Sequence, residues 1–365
     1  MNSILIHPIV KNSSIKNVNS TDSHEFLGLV KALKDIKVCD LKNINIKKII
    51  SPTFLGHGKL EEIKKICKQK NIALSFFNCI LSPIQQRNLE RILNTKVLDR
   101  QGLILEIFGD RAITKEGVLQ VELAHLKYQK SRLVRSWTHL ERQKGGIGFL
   151  GGPGEKQIES DRRQINSKIQ QINKKLKKVI KTRTIQRLAR VNKSFITISL
   201  VGYTNSGKSS LFNKLTKSSV LEKDMLFSTL DTKMKKINYN ECQNIILSDT
   251  VGFISNLPLE LISAFKATLE EITFSEIILH VIDISNPNYK FHHGNVNKIL
   301  NEIDEKIVSQ KKIIEVWNKI DLLKNEDLIF FKKKYSQSKE IILTSAKNDV
   351  GIDYLKNVIL NNFTD

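Results

Sequence analysis

Three segments with different hydrophobic periods follow one another along the chain. Over residues 1–116, short apolar runs alternate with stretches of helical period. Strands are expected over 3–10, 72–77 and 96–98, and helices over 60–70 and 83–93, an alternation that argues a small α/β domain. Over 117–194 the period becomes purely helical. Leu119, Leu123, Leu126, Leu133, Trp137 and Leu140 share one face of a helix expected over 119–144. Ile165, Ile169, Ile172, Leu176 and Ile180 share one face of a second, expected over 155–192, and both stripes read as core between the two helices. Six glycines and a proline within 145–154 interrupt the pattern, and no helix continues through them. The segment therefore reads as a long antiparallel helical hairpin with a glycine-rich tip. From 195 onward strands return. The runs 195–201, 245–248, 277–282, 313–316 and 341–343 are apolar almost throughout, as in central parallel strands covered on both faces. The expected fold class is α/β, with a small N-terminal domain (1–116), the hairpin (117–194) and a second, doubly wound domain (195–365).

Composition narrows the class. The 365 residues are 40% hydrophobic and 26% charged, with 17 Gly and 6 Pro, which excludes collagen-like and wholly disordered chains. No apolar run is long enough to span a bilayer, and the first residues lack the basic-then-apolar layout of a secretory signal. Cys39, Cys67, Cys79 and Cys242 stand apart without CxxC spacing, so reduced thiols in a cytoplasmic protein are expected. The net charge of +22 is uneven: 1–194 hold 38 basic and 16 acidic residues, whereas 195–365 hold 21 of each. Residues 120–194 alone carry +14. A codon bias toward lysine would act on both halves alike. A basic arm beside a neutral domain calls for a polyanionic partner, nucleic acid or anionic membrane. The membrane is disfavoured, because the second helix is basic along its length, from Arg162 and Arg163 to Arg187 and Arg190, and Phe149 is the tip's one aromatic anchor.

The chemistry sits in the neutral half. The strand ending at 201 runs into Gly202, Tyr203, Thr204, Asn205, Ser206, Gly207, Lys208 and Ser209, the G-x-x-x-x-G-K-[ST] phosphate loop. Backbone N–H groups of such a loop wrap phosphate oxygens, Lys208 brings a point charge to the β- and γ-phosphates, and the Ser209 hydroxyl can ligate Mg²⁺. Asp249, Thr250, Val251 and Gly252 follow the strand over 245–248. Asp249 can hold Mg²⁺ through water, and the Gly252 N–H can meet the γ-phosphate. Asn318, Lys319, Ile320 and Asp321 follow the strand over 313–316. The Asp321 carboxylate accepts from both N1–H and the N2 amine of guanine; adenine would leave it buried and unpaired. Ser345, Ala346 and Lys347 follow the last strand and can offer N–H to the guanine O6. Four motifs in this order, each at a strand end, specify a guanine-nucleotide site at the C-terminal edge of a parallel sheet, so 195–365 is expected to be a Ras-like P-loop GTPase domain. GTP and GDP are the expected ligands, with Mg²⁺ as cofactor.

A switch segment is expected at Phe227, Ser228, Thr229, Leu230 and Asp231. By spacing alone, Thr229 and Thr232 have equal claims to complete the Mg²⁺ shell. Lys208, Thr229 and Gly252 are the candidate catalytic groups, with Ser209 and Thr229 as candidate metal ligands. Phe253 stands where many GTPases place a water-orienting glutamine. A phenyl ring neither donates nor accepts the needed hydrogen bond, which predicts slow intrinsic hydrolysis accelerated by a partner.

The chain resembles the HflX family of ribosome-associated GTPases over nearly its whole length. The most specific stretch is Val121 to Ala124, the run RLVRSWTHLERQKGGIGFLGGPGE over 132–155, and Asp161, Arg162 and Arg163. The phosphate loop, the Phe227 to Asp231 switch and the run from Asp249 through Phe253 to Ile254 are similar to that family as well. The resemblance implies a monomeric GTPase of the large (50S) ribosomal subunit that splits stalled or idle ribosomes under stress, its hairpin tip reaching toward the peptidyl transferase centre. A basic arm suits such an rRNA partner. The alternative is a ribosome-assembly GTPase that binds the 50S subunit without splitting 70S particles. The resemblance favours Thr229 over Thr232 as the metal ligand and a second, weaker nucleotide site in the first domain, for which no motif is present. Asn205 resembles the asparagine of potassium-stimulated GTPases, which implies K⁺ stimulation; the alternative is that it braces the loop backbone. Many family members carry a further small domain after the GTPase domain, which is not expected within these residues.

Overall fold

The computed structural model describes residues 1–10, 19–136, 153–193, 195–218, 226–227, 229–230, 232–237, 244–255, 257, 261, 265, 269, 271–335, 338 and 340–362. Trp137, Leu140, residues 145–152 of the glycine-rich tip with Phe149, Ser228 and Asp231 lie outside them. The chain divides into two compact units. The first comprises 1–110, 118–177 and 258–264, and the second 111–117, 178–257 and 265–365.

The first unit opens with β1 (Asn2–Val10), α1 (Asn19–Lys31), β2 (Lys37–Ile46), α2 (His57–Gln69), β3 (Leu74–Phe77), α3 (Pro83–Leu93), β4 (Lys96–Asp99) and α4 (Arg100–Arg111). The strands form a parallel sheet in the order β2-β1-β3-β4. Ile4, Ile6 and Phe77 of the central strands meet Leu60 and Ile63 of α2 and Leu89 and Leu93 of α3 in one core. α3 starts where its sequence asks it to. Ser82 and Gln85 form a reciprocal capping box ahead of Pro83, and Asn94 closes the helix in the left-handed conformation.

α5 (Lys115–Ser136) and α6 (Pro153–Asn192) follow. Tyr128, Gln129, Arg132 and Leu133 share the wall of one cavity of about 500 Å³ with Asp161, Ile165 and Lys168, so in the first unit the two helices lie side by side. Leu123, Leu126, Ile172 and Leu176 are buried, in keeping with the expected stripes. The stripe of α6 stops a turn earlier than expected, because Ile180 is 40% exposed. Along the same helix Arg162, Arg163, Lys168, Lys174, Lys175, Lys177, Lys178 and Lys181 are exposed. Within the second unit its last turns are tethered instead. Arg183 pairs with Glu116 at 2.9 Å, Arg190 pairs with Glu271 at 3.0 Å, and the Arg187 guanidinium lies over the Phe274 ring at 3.6 Å.

The second unit is built from β5 (Ile196–Gly202), α7 (Lys208–Thr216), β6 (Lys233–Ile237), β7 (Ile245–Asp249), β8 (Ile277–Asp283), α8 (Tyr289–Ile303), α9 (Lys306–Gln310), β9 (Lys312–Asn318), α10 (Asn325–Tyr335), β10 (Ile341–Leu343) and α11 (Ile352–Asn361). Its sheet runs β10-β9-β8-β5-β7-β6, parallel except for β6, which pairs antiparallel with β7. Ile198 and Leu200 of β5 are buried between Leu247 and Leu279 of the flanking strands and Leu211 and Leu215 of α7. After β5 the chain moves first to one side of it and later to the other. That switch point opens a crevice at the C-terminal ends of β5, β7 and β8, where open α/β sheets bind ligands.

Candidate guanine-nucleotide site

The loop from Gly202 to Lys208 joins β5 to α7 and turns tightly enough to need glycine. Gly207 has φ +92°, and a Cβ there would stand 2.1 Å from Nδ2 of Asn318. Only glycine combines that conformation with that approach. Lys208 is 7% exposed, and its ammonium donates to the carbonyl oxygens of Gly202 and Tyr203 at 3.2 and 2.8 Å. Burial draws its pKa down to about 8, the Asp249 carboxylate opposes the shift, and Lys319 adds to it. The hydroxyl oxygens of Thr204 and Ser206 are buried without a partner among the described residues, whereas Asn205 is exposed in the left-handed conformation.

Ser209, Thr229 and Asp249 come together from α7, the switch segment and the end of β7. The Ser209 hydroxyl donates to Asp249 Oδ2 at 2.8 Å and lies 2.8 Å from the Thr229 hydroxyl. Asp249 is fully buried. Burial pushes its pKa up, against the pull of the Lys208 charge and the Ser209 and Thr229 hydroxyls. Its second oxygen, Oδ1, is buried with no partner among the described residues. Two hydroxyls and a half-satisfied carboxylate fit a hard divalent cation that keeps some of its water. Thr229 joins this cluster, and the Thr232 hydroxyl is buried without a partner instead. Phe227 and Leu230 on either side of Thr229 are buried at 2% and 3% exposure. Thr250 is tied by its hydroxyl to the Leu200 carbonyl at 2.6 Å, Val251 is buried, and Gly252 packs on Thr204.

Farther along the same sheet edge the loops after β9 and β10 brace one another. Asn318 donates from Nδ2 to the Ser206 carbonyl at 3.0 Å, and its Oδ1 accepts from the Ala346 N–H at 3.1 Å and the Thr344 hydroxyl at 3.3 Å. Lys319 takes the left-handed conformation and pairs with Asp283 at 2.8 Å. Ile320 is buried, and Asp321 accepts from the Ser345 hydroxyl at 2.6 Å. The Ala346 N–H braces Asn318 in this arrangement, and Lys347 is exposed. Thr344 and Asp283 belong to no motif. Their contacts cross strand ends, and no local pattern announces them. Phe253 is 2% exposed and forms a backbone bridge with Tyr203.

The arrangement can cradle phosphates at one end and present a carboxylate to a base at the other. Three family models match the chain: GTP-binding GTPase N-terminal over 20–109, GTP-binding GTPase Middle Region over 111–190, and 50S ribosome-binding GTPase over 197–319. GTPase HflX of Magnetococcus marinus is 49% identical over 286 residues, 78% of this chain and 66% of that protein. GTPase HflX of Escherichia coli is 45% identical over 302 residues, 83% of this chain and 70% of that protein. The chain thus spans about two thirds of the length of these relatives. Among solved structures, the crystal structure of the SsGBP and GDP complex is 27% identical with a TM-score of 0.52, covering 100% of this chain and 99% of that one. The phosphate loop, the buried carboxylate beside two hydroxyls and the braced Asn318 and Asp321 loops are thus found in a chain that belongs to the HflX family of GTPases, whose reaction is the binding and hydrolysis of GTP.

Proposed function

We propose that GTP binding and hydrolysis control how this protein holds the large ribosomal subunit, and that in the GTP-bound form it splits stalled or idle ribosomes. The carrying observation is the distribution of charge. The nucleotide half is neutral, while residues 120–194 carry +14 and α6 exposes cations from Arg162 to Lys181. A row of exposed lysines on a continuous helix matches the phosphate density of folded rRNA. The family description of 50S ribosome binding for 197–319 points to the same partner.

In this reading 1–116, 117–194 and 195–365 serve as anchor, RNA-facing arm and switch. Lys208 and the loop N–H groups hold the β- and γ-phosphates, Gly252 senses the γ-phosphate, and Asp321 with Asn318 and the Ser345 loop selects guanine. Ser209 and Thr229, with Asp249 through water, would hold Mg²⁺, which when bound supplies charge neutralisation of the triphosphate. Phe253, buried against Tyr203, orients no water, so intrinsic turnover is slow and the ribosome completes the site. The working place of such a protein is the cytoplasm.

Co-sedimentation with isolated large subunits tests the reading. Binding should be tighter with a non-hydrolysable GTP analogue than with GDP and fall steeply with salt. Equal binding with either nucleotide would refute it. Gradient analysis of intact 70S particles then separates splitting from the assembly-factor alternative, which predicts bound subunits and undissociated 70S.

A further inference from the structure

GTP hydrolysis here cannot lean on the side chain after Gly252, because Phe253 is 2% exposed and apolar. What this segment can offer the reaction is its backbone, so the way 252–255 is held matters. That segment is fastened to the phosphate loop by three hydrogen bonds. The Phe253 N–H donates to the Gly202 carbonyl at 3.1 Å, and the Thr204 N–H to the Phe253 carbonyl at 2.7 Å. The Ser255 N–H donates to the Tyr203 hydroxyl at 2.9 Å. The fit is close, since a Cβ on Gly252 would stand 3.0 Å from Thr204 Cα and 3.1 Å from the Lys208 ammonium.

The third of these bonds is made by a side chain, so it is only as well placed as the Tyr203 ring. That ring lies flat against the imidazole of His292, with centroids 3.8 Å apart and planes 4° from parallel. His292 is itself held in place by α8. The next residue, His293, bonds Glu315 of β9 through Nε2 at 2.9 Å and stacks on His280 of β8 at 4.9 Å. One end of this chain of contacts is therefore the central sheet and the other is the backbone beside the γ-phosphate position.

We infer that His292 is a positioning residue for GTP hydrolysis, acting through the Tyr203 ring on the 252–255 segment. The inference concerns the hydrolytic step alone and does not depend on the ribosomal reading. His292 meets the phosphate loop through the Tyr203 ring, so its removal should misplace Gly252 without unmaking the loop's own backbone hydrogen bonds. A misplacement near 1 Å can cost about 100-fold in rate. A half-buried ring whose loss is partly taken up by its neighbours is expected to cost about tenfold.

The test is single-turnover GTP hydrolysis by the full chain, alongside titrations of GTP and GDP. His292→Ala should lower the rate constant about tenfold with both dissociation constants within about twofold of the parent. His292→Phe, which restores a flat ring against Tyr203, should recover most of the rate. Tyr203→Phe keeps the stack and loses the bond to Ser255; it should slow hydrolysis similarly, and adding His292→Ala to it should cost little more. An unchanged rate in His292→Ala would overturn the inference. So would a parallel loss of nucleotide affinity, which marks a merely structural role, or a His292→Phe variant no better than His292→Ala.

Discussion

Replacing Asp321 by asparagine tests the base end of the site at a single atom. The Asp321 Oδ1 accepts one hydrogen bond, from the Ser345 hydroxyl at 2.6 Å. An ionised carboxylate has about four acceptor positions, so room is left for guanine N1–H and the N2 amine. Each hydrogen bond to a charged group contributes about 1.5–3 kcal/mol. Asp321 is half-buried, which places the pair at the low end, about 3 kcal/mol. At 1.4 kcal/mol per decade that corresponds to about 100-fold in affinity. In Asp321→Asn an amide NH₂ replaces one carboxylate oxygen. It opposes the guanine amine donor to donor, but it can donate to the C2 carbonyl of xanthine. The expected outcome is a loss of about 100-fold for GDP with a switch of preference to XDP. Competition of each nucleotide against a fluorescent GDP probe reads both numbers. If the variant keeps the parent's ratio of GDP to XDP affinity, Asp321 does not read the base.

Gly207→Ala should abolish measurable GDP binding in the same assay, since its Cβ would stand 2.1 Å from Asn318 Nδ2 at φ +92°; retained binding would refute the close approach. Lys208 titrates near pH 8 without nucleotide because it is buried, and bound phosphates restore its charge. GTP binding somewhat above pH 8 should therefore be accompanied by proton uptake, and affinity should fall as pH rises from about 8 toward the ordinary lysine range. Calorimetry in two buffers of different ionisation enthalpy measures the uptake, and zero uptake contradicts the assignment. Phe253→Gln should not create a catalytic glutamine: at a position 2% exposed, the unpaired amide costs about 1–3 kcal/mol, lowering the melting temperature by several degrees with no gain in hydrolysis. Faster hydrolysis would show that the segment opens.

Apolar strands could be read from the chain, and polar edge strands could not. The apolar runs at 195–201, 245–248, 277–282, 313–316 and 341–343 correspond to β5, β7, β8, β9 and β10. β6 escaped notice because Lys233, Lys235 and Lys236 are exposed and only Ile237 is buried. It pairs on one side only, and lysines suit an open edge. β2 is likewise an edge strand, with its polar residues scattered along it. α4 was missed for the opposite reason. Its buried run from Gly102 to Leu105 is continued by Ile107 and Phe108, which leaves no amphipathic period to find. The four motifs fall in loops at the C-terminal ends of β5, β7, β9 and β10, because each motif's chemistry is local. The residues that hold the loops in place, Thr344 under Asn318, Asp283 beside Lys319 and His292 behind Tyr203, come from other strands and helices. Only the folded sheet brings them together.

The two ends of the crevice differ in how completely the protein satisfies them. At the base end Asn318 is bonded to Ser206, Thr344 and Ala346, Lys319 to Asp283 and Asp321 to Ser345, so a guanine bound as proposed would meet groups already in position. At the phosphate end Thr204 Oγ1, Ser206 Oγ and Asp249 Oδ1 are buried without protein partners among the described residues. A buried polar atom left unpaired costs about 1–3 kcal/mol. Groups that phosphate, metal or water can satisfy therefore cluster at this end, while the base is the same in GTP and GDP. Base selection then needs no rearrangement, and the count of phosphates falls on the part of the site with most to gain. Binding to the folded state alone raises its stability in proportion to RT ln(1 + [L]/Kd). The phosphate end is thus where a difference between GTP and GDP can become a difference in the switch.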